Sequence, residues 1–280
     1  MRAASLKTAS LKTASLKTAP AKTAPALSSA YGVAALWVSS IGAQEPPAAV
    51  SPASVPDASY QSMTEMMQMD DAARLGLVLI DQLEWGEASG SGALAWNGQA
   101  WYGGDYNKVW LKTEGQHLDG VTLDARAEAL WDHVFSRWWS LQAGVREDFG
   151  DGPSRGWAAF GVQGLAPYFF DIEATAYVGD AGRTAARFRA EYELLFSQRL
   201  ILQPEFEVNA YGEDDPERHI GSGVSDFQLG LRLRYEIRRE FAPYLGIAWV
   251  RRTGQTADFA RAAGEPTDDV WALLGVRIWF

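Results

Sequence analysis

The feature that most limits what this chain can fold into is a period of two that runs from Gly76 to the C-terminus. In FQLGLRLRYEIRRE, Phe227, Leu229, Leu231, Leu233, Tyr235 and Ile237 share one face, and Gln228, Arg232, Arg234, Glu236 and Arg238 share the other. In TAARFRAEYELLF, Ala186, Phe188, Ala190, Tyr192, Leu194 and Phe196 alternate with Arg187, Arg189, Glu191 and Glu193. FFDIEATAYV and LILQPEFEVNA repeat the arrangement, with Glu173, Glu205 and Glu207 on their polar faces. Successive side chains of a strand point to opposite sides, whereas helical spacing would mix the two sets on one face. About twelve such segments can be counted. They fall near residues 76–87, 92–102, 105–116, 121–134, 138–149, 154–166, 168–179, 184–197, 199–211, 225–239, 241–253 and 268–280.

Alternation fits a soluble β-sandwich or barrel, whose apolar face is the core. It also fits an outer-membrane barrel, whose apolar face meets lipid and whose polar face lines a lumen. Four features favour the second. The segments are long for a soluble sheet but suit a tilted crossing of a bilayer. Short connections near 135–138, 166–168, 197–199 and 239–241 alternate with longer ones near 149–154, 179–184, 211–225 and 253–268. Trp101, Tyr102, Trp138, Trp139, Tyr168, Phe169, Phe241, Tyr244 and Trp279 lie near segment ends, as interfacial girdles do. The chain closes on a strand whose outer face carries Ala272, Leu274, Val276, Ile278 and the terminal Phe280. The expected fold is therefore all-β: a transmembrane, antiparallel, up-and-down β-barrel of about 12 strands in the bacterial outer membrane, in contact with its lipids.

Ahead of the barrel the composition changes. Residues 1–43 carry the repeat SLKTA-SLKTA-SLKTA-PAKTA and an apolar stretch near Ala26–Val38, with no acid before Glu45. This reads as a low-complexity leader and secretory signal cleaved after Ala43. Residues 44–73 are rich in Pro, Ala and Ser and end in the methionine run, which reads as a flexible periplasmic segment. Residues 74–280 are the barrel. The formal charge of −10 argues against nucleic-acid binding through a basic surface. The absence of cysteine excludes disulfides, zinc-thiolate sites and thiol nucleophiles.

The lumen would carry both signs of charge. One reading is a salt-bridged interior that stabilises the barrel; the other is a cation path lined by carboxylates. His117, His133 and His219 are the only histidines and form no metal-ligand spacing. No GxSxG motif occurs, so no enzymatic site is expected, although a lipid-acting barrel enzyme is a third possibility. The methionines stand apart. SMTEMMQMDD (Ser62–Asp71) holds Met63, Met66, Met67 and Met69, four of the five in the chain. Thioether sulfur is soft and suits Cu(I), and this spacing lets three sulfurs wrap one ion. The alternative is a short amphipathic helix at the barrel edge with methionine as apolar filler.

Several runs resemble the copper resistance protein B family of bacterial outer membranes. They are LVLIDQLEW (77–85), AWYGGDYNKVWLKTEG (100–115), the run 141–223 from LQAGVREDFGDG to YGEDDPERHIGSG, and RLRYEIRREFAPYLGIAWVRR (232–252). The resemblance implies a copper-binding barrel that serves copper tolerance and faces the periplasm. It also implies an N-terminal segment with repeated Met, Asp and His. Here that segment is reduced to MTEMMQMDD, without histidine, which implies one weak site rather than a store for many ions. The expected function is capture of periplasmic copper, with Cu(I) favoured, for sequestration or export. The candidate ligands are Met63, Met66, Met67, Met69, His133, His219 and His117, and periplasmic copper proteins are candidate partners. The rival expectation is a general porin or solute channel.

Overall fold

The computed structural model describes residues 73–88, 91–118, 121–150 and 152–280. The segment with the four methionines lies outside them, as do the leader and the proline-rich stretch. Thirteen antiparallel strand segments form twelve staves: β1 (Leu75–Ala88), β2 (Ser91–Gly103), β3 (Asn107–Leu118), β4 (Val121–Val134), β5 (Trp139–Gly150), β6 (Arg155–Ala166), β7 (Phe170–Gly179), β8 (Thr184–Glu191) continued by β9 (Leu194–Leu195), β10 (Leu200–Tyr211), β11 (Gly223–Tyr235), β12 (Phe241–Arg252) and β13 (Asp268–Trp279). Each stave pairs with the next in sequence, and β13 pairs with β1 from Leu79↔Trp279 to Glu87↔Ala272, which closes the sheet.

Burial is inverted relative to a soluble protein. Arg234, Tyr177 and Asp132 are the largest fully buried side chains, whereas Val145, Leu245 and Val270 are 60–63% exposed. A closed sheet with charge inside and a continuous apolar wall outside is stable only where the wall meets hydrocarbon. No helix among the described residues is long and apolar enough to cross a membrane; the crossing is made by strands.

The two ends differ. At the end holding the start of β1 and the end of β13, the connections are 104–106, 135–138, 167–169, 196–199 and 236–240. At the other end they include 212–222 and 253–267, beside connections of two residues after β1 and β3. Long and short therefore do not alternate strictly, as the sequence suggested: the first end is uniformly short, and the second is mixed. Short turns mark the periplasmic side and long loops the outer side.

Four local departures from the expected pattern have physical causes. A bulge in β1 between Ile80 and Leu83 turns both Asp81 and Gln82 inward, which blurs the alternation of LVLIDQLEW. The eighth stave, expected unbroken over 184–197, is interrupted at Tyr192–Glu193. Its partner there is Pro204, whose carbonyl accepts from Tyr192 N–H at 3.1 Å but which has no N–H to return. β11 ends at Tyr235 rather than near 239, so Arg238 lies exposed in a turn and not in the lumen. The 253–267 connection folds as a helix, α1 (Gly254–Ala263), rather than an irregular loop. Its buried face is Thr256, Ala257 and Ala260, and Gly264 (φ +77°) ends it by donating its N–H to the carbonyls of Ala260 and Arg261.

Candidate functional site

The polar faces of the staves meet inside the barrel, and the interior divides into three levels. The middle level is a belt of ion pairs. Arg187 Nη2 on β8 lies 2.8 Å from Glu114 Oε2 on β3 and 2.6 Å from Glu207 Oε2 on β10, and Arg126 on β4 also pairs with Glu114. Arg232 on β11 bridges Glu84 on β1 (Nε–Oε1 2.5 Å) and Glu205 on β10. Tyr244 donates its hydroxyl to Glu84 at 2.9 Å, so it faces the lumen and not the lipid girdle expected for it. Lys112 Nζ holds Glu173 at 2.9 Å and donates to Gln142 and Gln163. Of the two readings of the lumen charges, the salt-bridged interior accounts for this belt: its arginines and Lys112 each touch a carboxylate.

Above the belt, towards the outer side, the interior is solid. Trp157, Tyr177, Ala159 and Ala185 are buried together there with Tyr211 packed against them, and the cluster runs obliquely along the sheet to Leu130 and Trp110, nearer the periplasmic ends of β4 and β3. Arg146 lies over the Tyr177 ring at 4.5 Å and binds Asp148 through two nitrogens at 2.6 and 3.1 Å. Trp157 Nε1 donates to the same carboxylate at 2.8 Å, and Tyr177 donates to Glu128 at 2.9 Å. Trp101, expected in the girdle, shares the inward face of β2 with the cavity-lining Gln99 and lies 6.3 Å from Trp110.

The β10–β11 loop, residues 212–222, covers this plug from outside. Arg155 at the start of β6 makes two hydrogen bonds to Asp215 (2.9 and 3.2 Å) and one to Glu217 (2.8 Å). Arg218 donates to Asp124 on β4 and to the Pro153 carbonyl, both at 3.0 Å. The loop is thus tied to staves on the far side of the barrel. Hydrogen bonding from Arg155 holds the Asp215 carboxyl below the usual carboxylate range.

Below the belt, towards the periplasmic end, the interior opens into a cavity of about 670 Å³. Its floor includes Glu114, Arg126, Glu128 and Arg187, and its mouth includes Leu165, Phe169, Tyr192 and Leu195. Asp171 and Glu191, register partners on β7 and β8, face it side by side. The lumen is therefore a cup, open at the end where the chain enters the barrel and filled at the other.

The histidines do not converge. His133 is near the periplasmic end of β4, on the outward face, stacked on Trp131 at 5.4 Å and within 3.0 Å of Asn107 Oδ1. His117 is at the outer end of β3, 3.3 Å from Thr122 Oγ1. His219 is exposed in the outer loop with φ +56°, 6.5 Å from the Phe259 ring. Among the described residues no group of three or more His, Asp or Glu side chains is arranged to hold a metal ion. Sequence reasoning missed Glu84, Arg146 and Trp157 as interior residues. The alternation of β5 and β6 carried that signal, since Arg146 and Asp148 share one face with Gln142.

A closed sheet of twelve staves with a charged interior, an apolar exterior and short turns at the end holding both β1 and β13 defines an outer-membrane β-barrel protein. The fold agrees with the NanC porin, at a TM-score of 0.51 and 12% identity over 70% of this chain and 98% of that one. A likeness to the KdgM porin is weaker, at a TM-score of 0.47 and 11% identity over 74% of this chain and 99% of that one. Residues 74–280 match the family described as Copper resistance protein B precursor (CopB). Copper resistance protein B of Escherichia coli is 49% identical over 210 residues, 75% of this chain and 71% of that protein. A homolog from Pseudomonas syringae pv. tomato is 47% identical over 213 residues, 76% of this chain and 72% of that protein. The chain belongs to the copper resistance protein B family, and its role is in copper resistance at the outer membrane.

Proposed function

We propose that this protein captures periplasmic copper through Met63, Met66, Met67 and Met69 and retains it at the barrel mouth, for sequestration or for handing to a partner, without catalysing a reaction. In this reading residues 1–43 are removed on export and residues 44–73 stand in the periplasm as the capturing segment. Residues 74–280 anchor that segment. Neutral sulfur donors favour Cu(I), and the lack of histidine in the segment disfavours Cu(II) there. The observation that carries the reading is the joining of three things at one end. They are the four methionines just ahead of β1, the start of β1, and the open half of the lumen. The cup carboxylates are the secondary ligands in this scheme; His133, the one histidine at that end, faces outward beside Trp131 and stands apart from them. Periplasmic copper proteins are the natural donors or acceptors. A general porin needs a continuous water path, and the packed Trp157–Tyr177 level weighs against one. Copper per chain, measured on the exported protein with and without residues 44–72, tests the proposal. Loss of the bound Cu(I) on deletion is expected; unchanged stoichiometry would sink it.

A further inference from the structure

The arginines fall into two groups. Those on the inner wall, and those that tie down the outer loop, each have a carboxylate partner. Arg137, Arg199, Arg238 and Arg239, in the periplasmic turns, are exposed and have no such partner among the described residues. Arg74, just ahead of β1, is exposed at the same rim, and Arg251, at the outer end of β12, is the one other arginine of this kind. The acids of the periplasmic turns are Asp105, Glu236 and Glu240, and Glu236 already faces Arg234 at 3.7 Å. At the outer end the balance is reversed: the 212–222 loop holds Glu213, Asp214, Asp215 and Glu217 against Arg218. In a chain of formal charge −10, a basic rim is a local feature and not a by-product of composition.

The depth of these arginines is set by the lipid-facing rows beside them. Phe135 ends the outward row of β4, Leu200 begins that of β10 and Phe241 begins that of β12. Arg137 lies two residues past Phe135, Arg199 one before Leu200 and Arg239 two before Phe241. A strand advances about 3.3 Å per residue, so these positions stand about 3–7 Å outside the apolar wall. The polar layer of one leaflet is about 5–8 Å deep. Phe135, Trp138, Phe196 and Ile237 share the same turns and are 52–66% exposed. Such turns offer apolar surface to hydrocarbon and a guanidinium to phosphate, which it can bind through two N–H groups. The arginines are also spread round the rim: ahead of β1, and between β4 and β5, β9 and β10, and β11 and β12. A surrounding leaflet reaches all of them from the side. A soluble partner would approach from the mouth, where Leu165, Phe169 and Leu195 line the opening and these arginines do not.

We infer that the periplasmic rim is a binding ring for anionic phospholipid of the periplasm-facing leaflet, with Arg137, Arg199, Arg238 and Arg239 on the lipid phosphates. The ring fixes the depth of the barrel and holds the open end of the cup level with the membrane surface. It is independent of copper capture. The test places the full exported protein in phosphatidylethanolamine vesicles with a trace of spin-labelled lipid. Electron paramagnetic resonance then separates lipid held at the barrel from bulk lipid. Labelled phosphatidylglycerol should be held about fivefold over labelled phosphatidylethanolamine, the factor that one arginine near a lipid surface supplies. Raising salt from about 0.1 M to about 1 M should lower that ratio. Arg137→Gln, Arg199→Gln, Arg238→Gln and Arg239→Gln together should bring it close to one while the barrel keeps its gel mobility. Should the fourfold variant fail to assemble, Arg137→Gln with Arg199→Gln is read in the same way for a partial loss. Free glycerol phosphate in the buffer should leave the ratio unchanged; competition by it would assign the arginines to a soluble anion and overturn the proposal. A ratio near one in the parent protein, or one that the substitutions leave unchanged, overturns it too and leaves these arginines to an acidic soluble partner.

Discussion

The outer and periplasmic halves of the lumen are built from the same staves by the same alternation, yet one is filled and the other is hollow. In the outer half the inward positions hold Trp157, Tyr177, Tyr211 and Arg146, which are bulky, stacked and hydrogen-bonded to Asp148 and Glu128. In the periplasmic half they hold Gln99, Gln163, Asp171 and Glu191, which leave a cavity between them. Side-chain volume, not topology, decides whether a twelve-stave barrel conducts or ends blind. The belt between the halves is held by ion pairs, of which those of Arg232 with Glu84 and Glu205 are almost wholly withdrawn from water, and such pairs fail badly when one partner is lost.

That contrast can be broken at graded cost. Arg232→Ala is the most damaging change. It leaves Glu84 and Glu205 buried without their shared cation and costs about 3–5 kcal/mol. Urea unfolding in vesicles reads it, and a change below about 1 kcal/mol would contradict the belt's role. Next is Trp157→Ala, which opens the plug and removes about 3 kcal/mol of packing. Planar-bilayer recordings of this variant with residues 212–222 shortened should show conductance absent from the parent protein; a silent variant would contradict the plug.

The loop gives a smaller, pH-dependent effect. Its Asp215 carboxyl is depressed in the folded state, so its contribution is complete above the ordinary carboxylate value of about 4. The contribution fades as pH falls through the lower folded value. Protection of the 212–222 amides, taken relative to their intrinsic exchange rates at each pH, should therefore be high at neutral pH and fall in acid below about pH 4. Asp215→Asn should show the lower protection at neutral pH and little further loss in acid. Smallest of all is Arg261→Ala on α1, which removes a solvent-exposed pair with Asp258. It should move the unfolding free energy by less than about 0.5 kcal/mol.

The barrel was legible because lipid on one side and a polar lumen on the other enforce alternation over whole strands. β4 falls on the expected residues 121–134, and β10 is displaced by one residue at its start. What was hidden depends on the absence of a partner or on three-dimensional convergence. Pro204 breaks the eighth stave from the neighbouring strand, so TAARFRAEYELLF read alone looks continuous. α1 was hidden by its setting in a loop, although the alanines of ADFARAAG and the stop at Gly264 carry a helix signal. Tyr244 sits near a strand end like a girdle residue, and only the pairing of β12 and β13 shows which wall it faces. The contacts of Arg155 and Arg183 with Asp215 of the loop, and of the loop's own Arg218 with Asp124, join residues that no local pattern links. The four methionines lie outside the described residues, and their reading comes from the sequence.

The most direct test is therefore a Cu(I) titration of the intact exported protein against its Met63, Met66, Met67 and Met69→Ser variant, both in the same vesicles. The variant should keep the folded barrel's gel mobility and lose its high-affinity Cu(I). A variant that binds Cu(I) as tightly and in the same amount as the parent would contradict copper capture by this segment.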